Sequence, residues 1–164
     1  MVEPWLRGTL QGVEPVRRAV LHALELVEED VERWAAELRD EEMFARPAGL
    51  PSVGFQLRHM ARSLDRLLTY AEGKLLSEAQ LAALGSETEA GSAAAVLQEC
   101  RAGLQLAMAR VRNFRAEQFD EVRVVGRARL PTTIVGLLIH CAEHTQRHVG
   151  QMVTTVKVVR SSDR

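Results

Sequence analysis

Aromatic residues make up only 4% of the 164-residue chain, and cysteine occurs twice. Strands draw on aromatic and β-branched side chains to cover a pleated surface, so this scarcity weighs against an all-β body. Cys100 and Cys141 do not form a CxxC pair. Two isolated cysteines fit reduced, buried thiols better than a disulfide framework. No charge of one sign predominates: 21 Lys plus Arg stand against 22 Asp plus Glu, interspersed, for a formal net charge of -1. Without a basic stripe there is no footprint for a phosphate backbone or an anionic bilayer, so neither nucleic acid nor membrane is an expected partner. Apolar runs stop at about half a dozen residues, far short of the ~20 that span a bilayer. Met1 to Gly12 carries Glu3, Pro4, Trp5 and Arg7 and no apolar h-region, so no secretory signal is visible and the cytoplasm is the expected compartment.

What the chain does have is Ala, Leu and a three-to-four residue apolar period. The length fits one domain, residues 1–164, able to bury roughly 70% of its unfolded surface without a structural staple. Four stretches carry the helical period. The first runs from about 14 to 40, opening on Pro15 and placing Val16, Val20, Ala23, Val27, Val31, Trp34 and Leu38 on one side. The segment Arg46-Pro47-Ala48-Gly49-Leu50-Pro51 breaks it, since each proline lacks a donor and disfavours helix before it. Ser52 caps the second helix, over about 52–72, and Gly73 suits its left-handed end. Ser86-Glu87-Thr88-Glu89 matches a capping box ahead of a third helix over about 87–113. Between Arg115 and Leu130 the period falls to two around Gly126, as in a small hairpin. Pro131-Thr132-Thr133 opens the fourth helix, over about 132–158, with Ile134, Leu138, Cys141, Thr145, Val149, Met152 and Val156 as its stripe. The tail from Arg160 is polar and expected to fray. Four amphipathic helices in one domain most simply make an all-α four-helix bundle.

Four of the five histidines fall on the second and fourth helices. His140, His144 and His148 are four residues apart, one helical turn each, so their rings rise along one edge. Two imidazoles at this spacing can converge on one ion, but three cannot do so equally. At 100° per residue, His148 lies about 70° from the stripe centre, His144 about 110° and His140 about 150°. The inner pair is His144 and His148. On the second helix His59 lies about 125° from its stripe, on the polar flank with Ser52, Gln56 and Ser63, where periodicity alone reads as a solvated side chain. His22 faces away from the first helix's stripe and reads as solvated too. Cys141 and Cys100 read as inert buried thiols. The protease pattern H-E-x-x-H is absent, and no Glu-x-x-His precedes the histidines as a di-iron cage requires.

Gly54-Phe55-Gln56-Leu57-Arg58-His59-Met60-Ala61-Arg62, continuing to Tyr70, and His140-Cys141-Ala142-Glu143-His144-Thr145-Gln146-Arg147-His148-Val149-Gly150-Gln151 together resemble the DinB/YfiT-like metalloprotein superfamily. The resemblance implies a four-helix bundle in up-down-down-up order. It also implies a divalent metal, zinc or nickel, held by one histidine of the second helix and two of the H-x-x-x-H-x-G-Q segment. Carried onto this chain, the ligands are His59, His144 and His148. His140 and Gln151 become candidates for supporting roles around the metal, and Glu143 for a base. Relatives include transferases and isomerases that use low-molecular-weight thiols, so the implied substrate is a small molecule, such as a thiol, and the implied activity a metal-dependent thiol S-transferase or hydrolase. The alternative is a metal-binding or stress-related interaction protein without catalysis. Relatives often pair, which implies a homodimer.

Overall fold

The structure is a computed structural model that describes residues 2–162. Six helices and one two-stranded hairpin follow in order: α1 (Pro15–Ala35), α2 (Asp40–Phe44), α3 (Val53–Ala71), α4 (Glu78–Gly85), α5 (Ala93–Asn113), β1 (Val122–Val125), β2 (Leu130–Thr133) and α6 (Ile134–Ser162). The expectation of a mostly helical chain holds, and so does the hairpin, whose strands pair antiparallel with Val122 opposite Thr133 and Val125 opposite Leu130.

α3 starts where Ser52 Oγ accepts from the backbone N–H of Phe55 at 3.2 Å. It ends at Gly73, whose φ of +74° only glycine adopts without strain, and Lys74 N–H closes back on the Thr69 carbonyl. Every residue of the stripe expected for α6 is buried: Ile134, Leu138, Cys141, Thr145, Val149, Met152 and Val156. On α3 the buried face is Val53, Leu57, Met60, Leu64 and Leu68. Each such side chain contributes about 1.5–3 kcal/mol when fully withdrawn from water.

Four boundaries differ from the sequence reading. The first helix stops at Ala35 rather than near 40. A turn follows, closed by Leu38 N–H on the Ala35 carbonyl, and α2 begins at Asp40 with Glu42 accepting from the Arg39 backbone N–H. Leu38 still reaches the core from that turn, so the apolar period continues across the break and hides it. The third long helix begins at Ala93, capped by Ser92, not at Glu87. A short helix, α4, precedes it, carrying a reciprocal cap in which Ser77 Oγ accepts from Gln80 N–H and Gln80 Oε1 from Ser77 N–H. Ser86-Glu87-Thr88-Glu89 is therefore not a capping box: Ser86 ends α4, and its Oγ accepts from Arg62 and donates to the Ala83 carbonyl. Pro131-Thr132-Thr133 belongs to β2 rather than to the last helix. Thr133 serves both elements, pairing with Val122 and accepting from Gly136 N–H through Oγ1 at 3.1 Å. Finally, the helix expected to end near 158, with a frayed tail from Arg160, continues to Ser162, and residues 163 and 164 lie outside the described residues.

The four long helices pack side by side, α3 against α5 and α6, and α1 against the same two. Thr155 Oγ1 of α6 donates to the Pro51 carbonyl at the start of α3, whereas His144 faces His59 further along, so the two helices run antiparallel. Arg62 meets Glu99 and Arg110 meets Asp65 between α3 and α5. Gln146 of α6 donates to the Ala23 carbonyl of α1, and the Lys157 ammonium sits over the Trp34 ring. Arg101 and Gln105 of α5 bond Glu32 and Glu28 of α1.

Candidate metal centre

Because α3 and α6 are antiparallel neighbours, the polar flank of α3 carrying His59 lies beside the α6 edge carrying His144 and His148. The ring of His59 is 5.1 Å from that of His144 and 4.4 Å from that of His148, centroid to centroid, and the last two are 4.5 Å apart. One nitrogen from each ring lies within 4.8 Å of the other two. The expectation that periodicity left open for His59 is thereby resolved: the neighbouring helix, not solvent, faces it. Phe55, one turn earlier, stacks on its ring at 5.3 Å and 21°.

Outer partners fix which nitrogen of two rings carries the proton. His59 Nδ1 lies 2.8 Å from Glu87 Oε2, and a carboxylate can only accept, so Nδ1 holds the hydrogen and Nε2 is the free donor atom. His148 Nδ1 lies 2.5 Å from Gln56 Oε1, which also accepts, leaving Nε2 of His148 free. His59 Nε2 then faces His144 Nε2 at 3.0 Å. Two imidazole lone pairs at that distance repel unless a proton or a metal ion stands between them. Burial, and after it the neighbouring charge of His59, pulls His144 and His148 each down to about 4. Both are neutral at pH 7, the form that ligates a metal. Glu87 is pushed up by burial but more than compensated by hydrogen bonds from His59 and Arg66, which leave it below the usual carboxylate range. Three imidazoles whose nitrogens converge, two of them oriented by an outer partner, fit a divalent ion.

The sequence passed over two of these residues. Gln56 is fully buried on α3, with its Nε2 lacking a hydrogen-bond partner. Its signal was a glutamine among the residues flanking the apolar stripe. Glu87 comes from the loop after α4, and nothing in local spacing connects it to His59. The candidates named for supporting roles lie elsewhere. His140 hydrogen-bonds the exposed Glu143 through Nδ1 at 2.8 Å and is itself partly exposed, with its ring 5.3 Å from that of His144. Gln151 is exposed beside Leu50, Pro51 and Thr154 and makes no hydrogen bond to the three histidines among the described residues. Cys100 and Cys141 are buried and their thiols pushed up to about 12, as inert thiols should be. His22 is not solvated as expected; it is buried, with Nε2 3.1 Å from Thr9 Oγ1 of the N-terminal segment that folds over α1.

The sequence pattern of the DinB superfamily matches residues 23–152, which contain all three histidines. The chain belongs to the DinB superfamily. Its fold is shared with the crystal structure of a conserved protein from Enterococcus faecalis, at a TM-score of 0.74 and 19% identity, covering 91% of this chain and 99% of that one. No curated protein sequence matches. No helix among the described residues is long and apolar enough to cross a membrane.

Proposed function

We propose that this DinB-like protein holds one divalent ion, zinc or nickel, on His59, His144 and His148 and uses it as an enzyme acting on a small-molecule substrate. The observation that carries this reading is the convergence of three histidine nitrogens, two of them from rings whose other nitrogen is already committed to Glu87 or Gln56. An ion so held would lower the pKa of a bound thiol or water and make it a nucleophile at neutral pH. The chain's own groups set the conditions for that chemistry. Glu87 keeps the proton on His59 Nδ1, Gln56 keeps it on His148 Nδ1, and Phe55 covers one face of His59. His140, hydrogen-bonded to Glu143, would assist as a base.

The remaining parts of the reading are a one-domain chain in the cytoplasm, forming an up-down-down-up four-helix bundle. The side-chain pairings between α3 and α6, α3 and α5, and α1 and both support that order. Leu75, Val122 and Val124 remain exposed around one concavity, apolar surface that a second copy would cover in a homodimer. The test is turnover: zinc- or nickel-loaded protein is mixed with low-molecular-weight thiols and monochlorobimane. Acceleration over the spontaneous reaction, lost in His59→Ala, supports a thiol S-transferase. Metal bound without turnover across thiols and hydrolysable esters favours the non-catalytic, interaction-protein alternative.

A further inference from the structure

Between residues 72 and 92, a stretch that includes α4, the sole buried residue is Glu87, at 6% exposure. Leu75, Leu81 and Leu84 of this stretch face outward and Leu76 and Ala83 are only partly buried, so no apolar side chain of it is sealed in the core. It is fastened by polar contacts to one face of α3. Arg62 reaches the Ala83 carbonyl and Ser86 Oγ, Arg58 the Glu89 carbonyl, Arg66 the Glu87 carboxylate at 2.9 Å, and Gln80 both Asp65 and Thr69. A segment held this way belongs to the low-stability end of a fold, able to open while the core stays closed. The one side chain it inserts ends on His59 Nδ1.

We propose that this strap and the three-histidine site are one coupled unit: occupancy by a cation tightens the strap through Glu87, and release of the strap weakens the site. The inference rests on the metal-binding reading above. Its physical basis is that a cation on His59 Nε2 withdraws charge from the ring and makes Nδ1–H a stronger donor to the carboxylate. Coupling of this kind is reciprocal, so the factor by which the ion lowers the opening equilibrium of the strap equals the factor by which opening of the strap lowers ion affinity. The strap thus acts as a metal-sensitive segment that loosens from α3 when the ion leaves.

Hydrogen–deuterium exchange over residues 77–92, with and without saturating zinc, together with calorimetric zinc titration, tests it in wild type and Glu87→Ala. The amides of α3 and α6 report in the same spectra that the variant is folded. Zinc should slow strap exchange about tenfold or more in wild type and not in Glu87→Ala, whose zinc affinity should fall by about 10–100-fold. Zinc binding to wild type with unchanged strap exchange overturns the coupling and leaves the metal site standing. Failure of wild type to bind zinc or nickel overturns both.

Discussion

Gln56→Leu separates metal affinity from fold stability. Gln56 is fully buried, spends Oε1 on His148 Nδ1–H and leaves Nε2 without a partner. Leucine of similar length removes one hydrogen bond, worth about 1 kcal/mol net, but also removes an orphaned buried amide that costs about 1–3 kcal/mol. The global stability of the metal-free protein should therefore change by no more than about 1 kcal/mol, in urea unfolding with a chelator present. Metal affinity should respond differently. Without Gln56, His148 is free to place its proton on Nε2 and to turn its ring, and loss of an outer partner of a ligating histidine typically costs 10–100-fold, about 1.4–2.7 kcal/mol. Competition titration against a chromophoric chelator measures the constant, and long-range nitrogen–proton spectra report the tautomer of His148. An unchanged affinity would refute the role given to Gln56. A loss of more than about 3 kcal/mol in the metal-free fold would refute the burial accounting.

Three other outcomes follow from the same geometry. His144 and His148 titrate near 4 when folded, against an ordinary value of 6.5, so the unfolded chain binds more protons between those values and metal-free stability falls as pH drops through 6.5 towards 4. Because both rings are partly exposed to water, the discounted loss between pH 6.5 and 5 is about 1–2 kcal/mol for the pair. Urea melts in that range, above most carboxylate titration, should show it in wild type and less of it in His148→Gln. Gly103 lets α5 approach α3, where an added Cβ would stand 2.7 Å from Ala61 Cβ; Gly103→Ala should lose about 1 kcal/mol in thermal melts, overpacking outweighing the gain in helix propensity, and a gain would show that the helices can part freely. Cys100 and Cys141, held to about 12 by burial, should stay unreactive to a thiol reagent until the protein unfolds, and rapid labelling of the native state would contradict their placement.

The sequence displayed what is local and periodic. The α6 stripe, the Ser52 cap, the Gly73 terminus and the hairpin each depend on residues within one or two turns of each other, and each appears as expected. The same holds for the pair His144 and His148 on one helix. His59 was different, since its angle on α3 pointed to solvent and only the position of α6 makes it interior. The helix break at Ala35 was masked because Leu38 stays in the core from a turn, and the start of α5 was misplaced because Ser86, which fits the first position of a capping box, instead ends α4 with its hydroxyl held by Arg62 and the Ala83 carbonyl. α4 has no buried residue and hence no apolar period to see. Where tertiary contacts recruit a polar side chain, local spacing carries no trace of it.

Elemental analysis of protein purified without a histidine tag, set beside the His59→Ala variant, addresses the three-histidine site most directly. One equivalent of zinc or nickel per chain in wild type, and a small fraction of that in the variant, is the predicted result. Absence of stoichiometric metal from wild type, or equal content in both proteins, would contradict it.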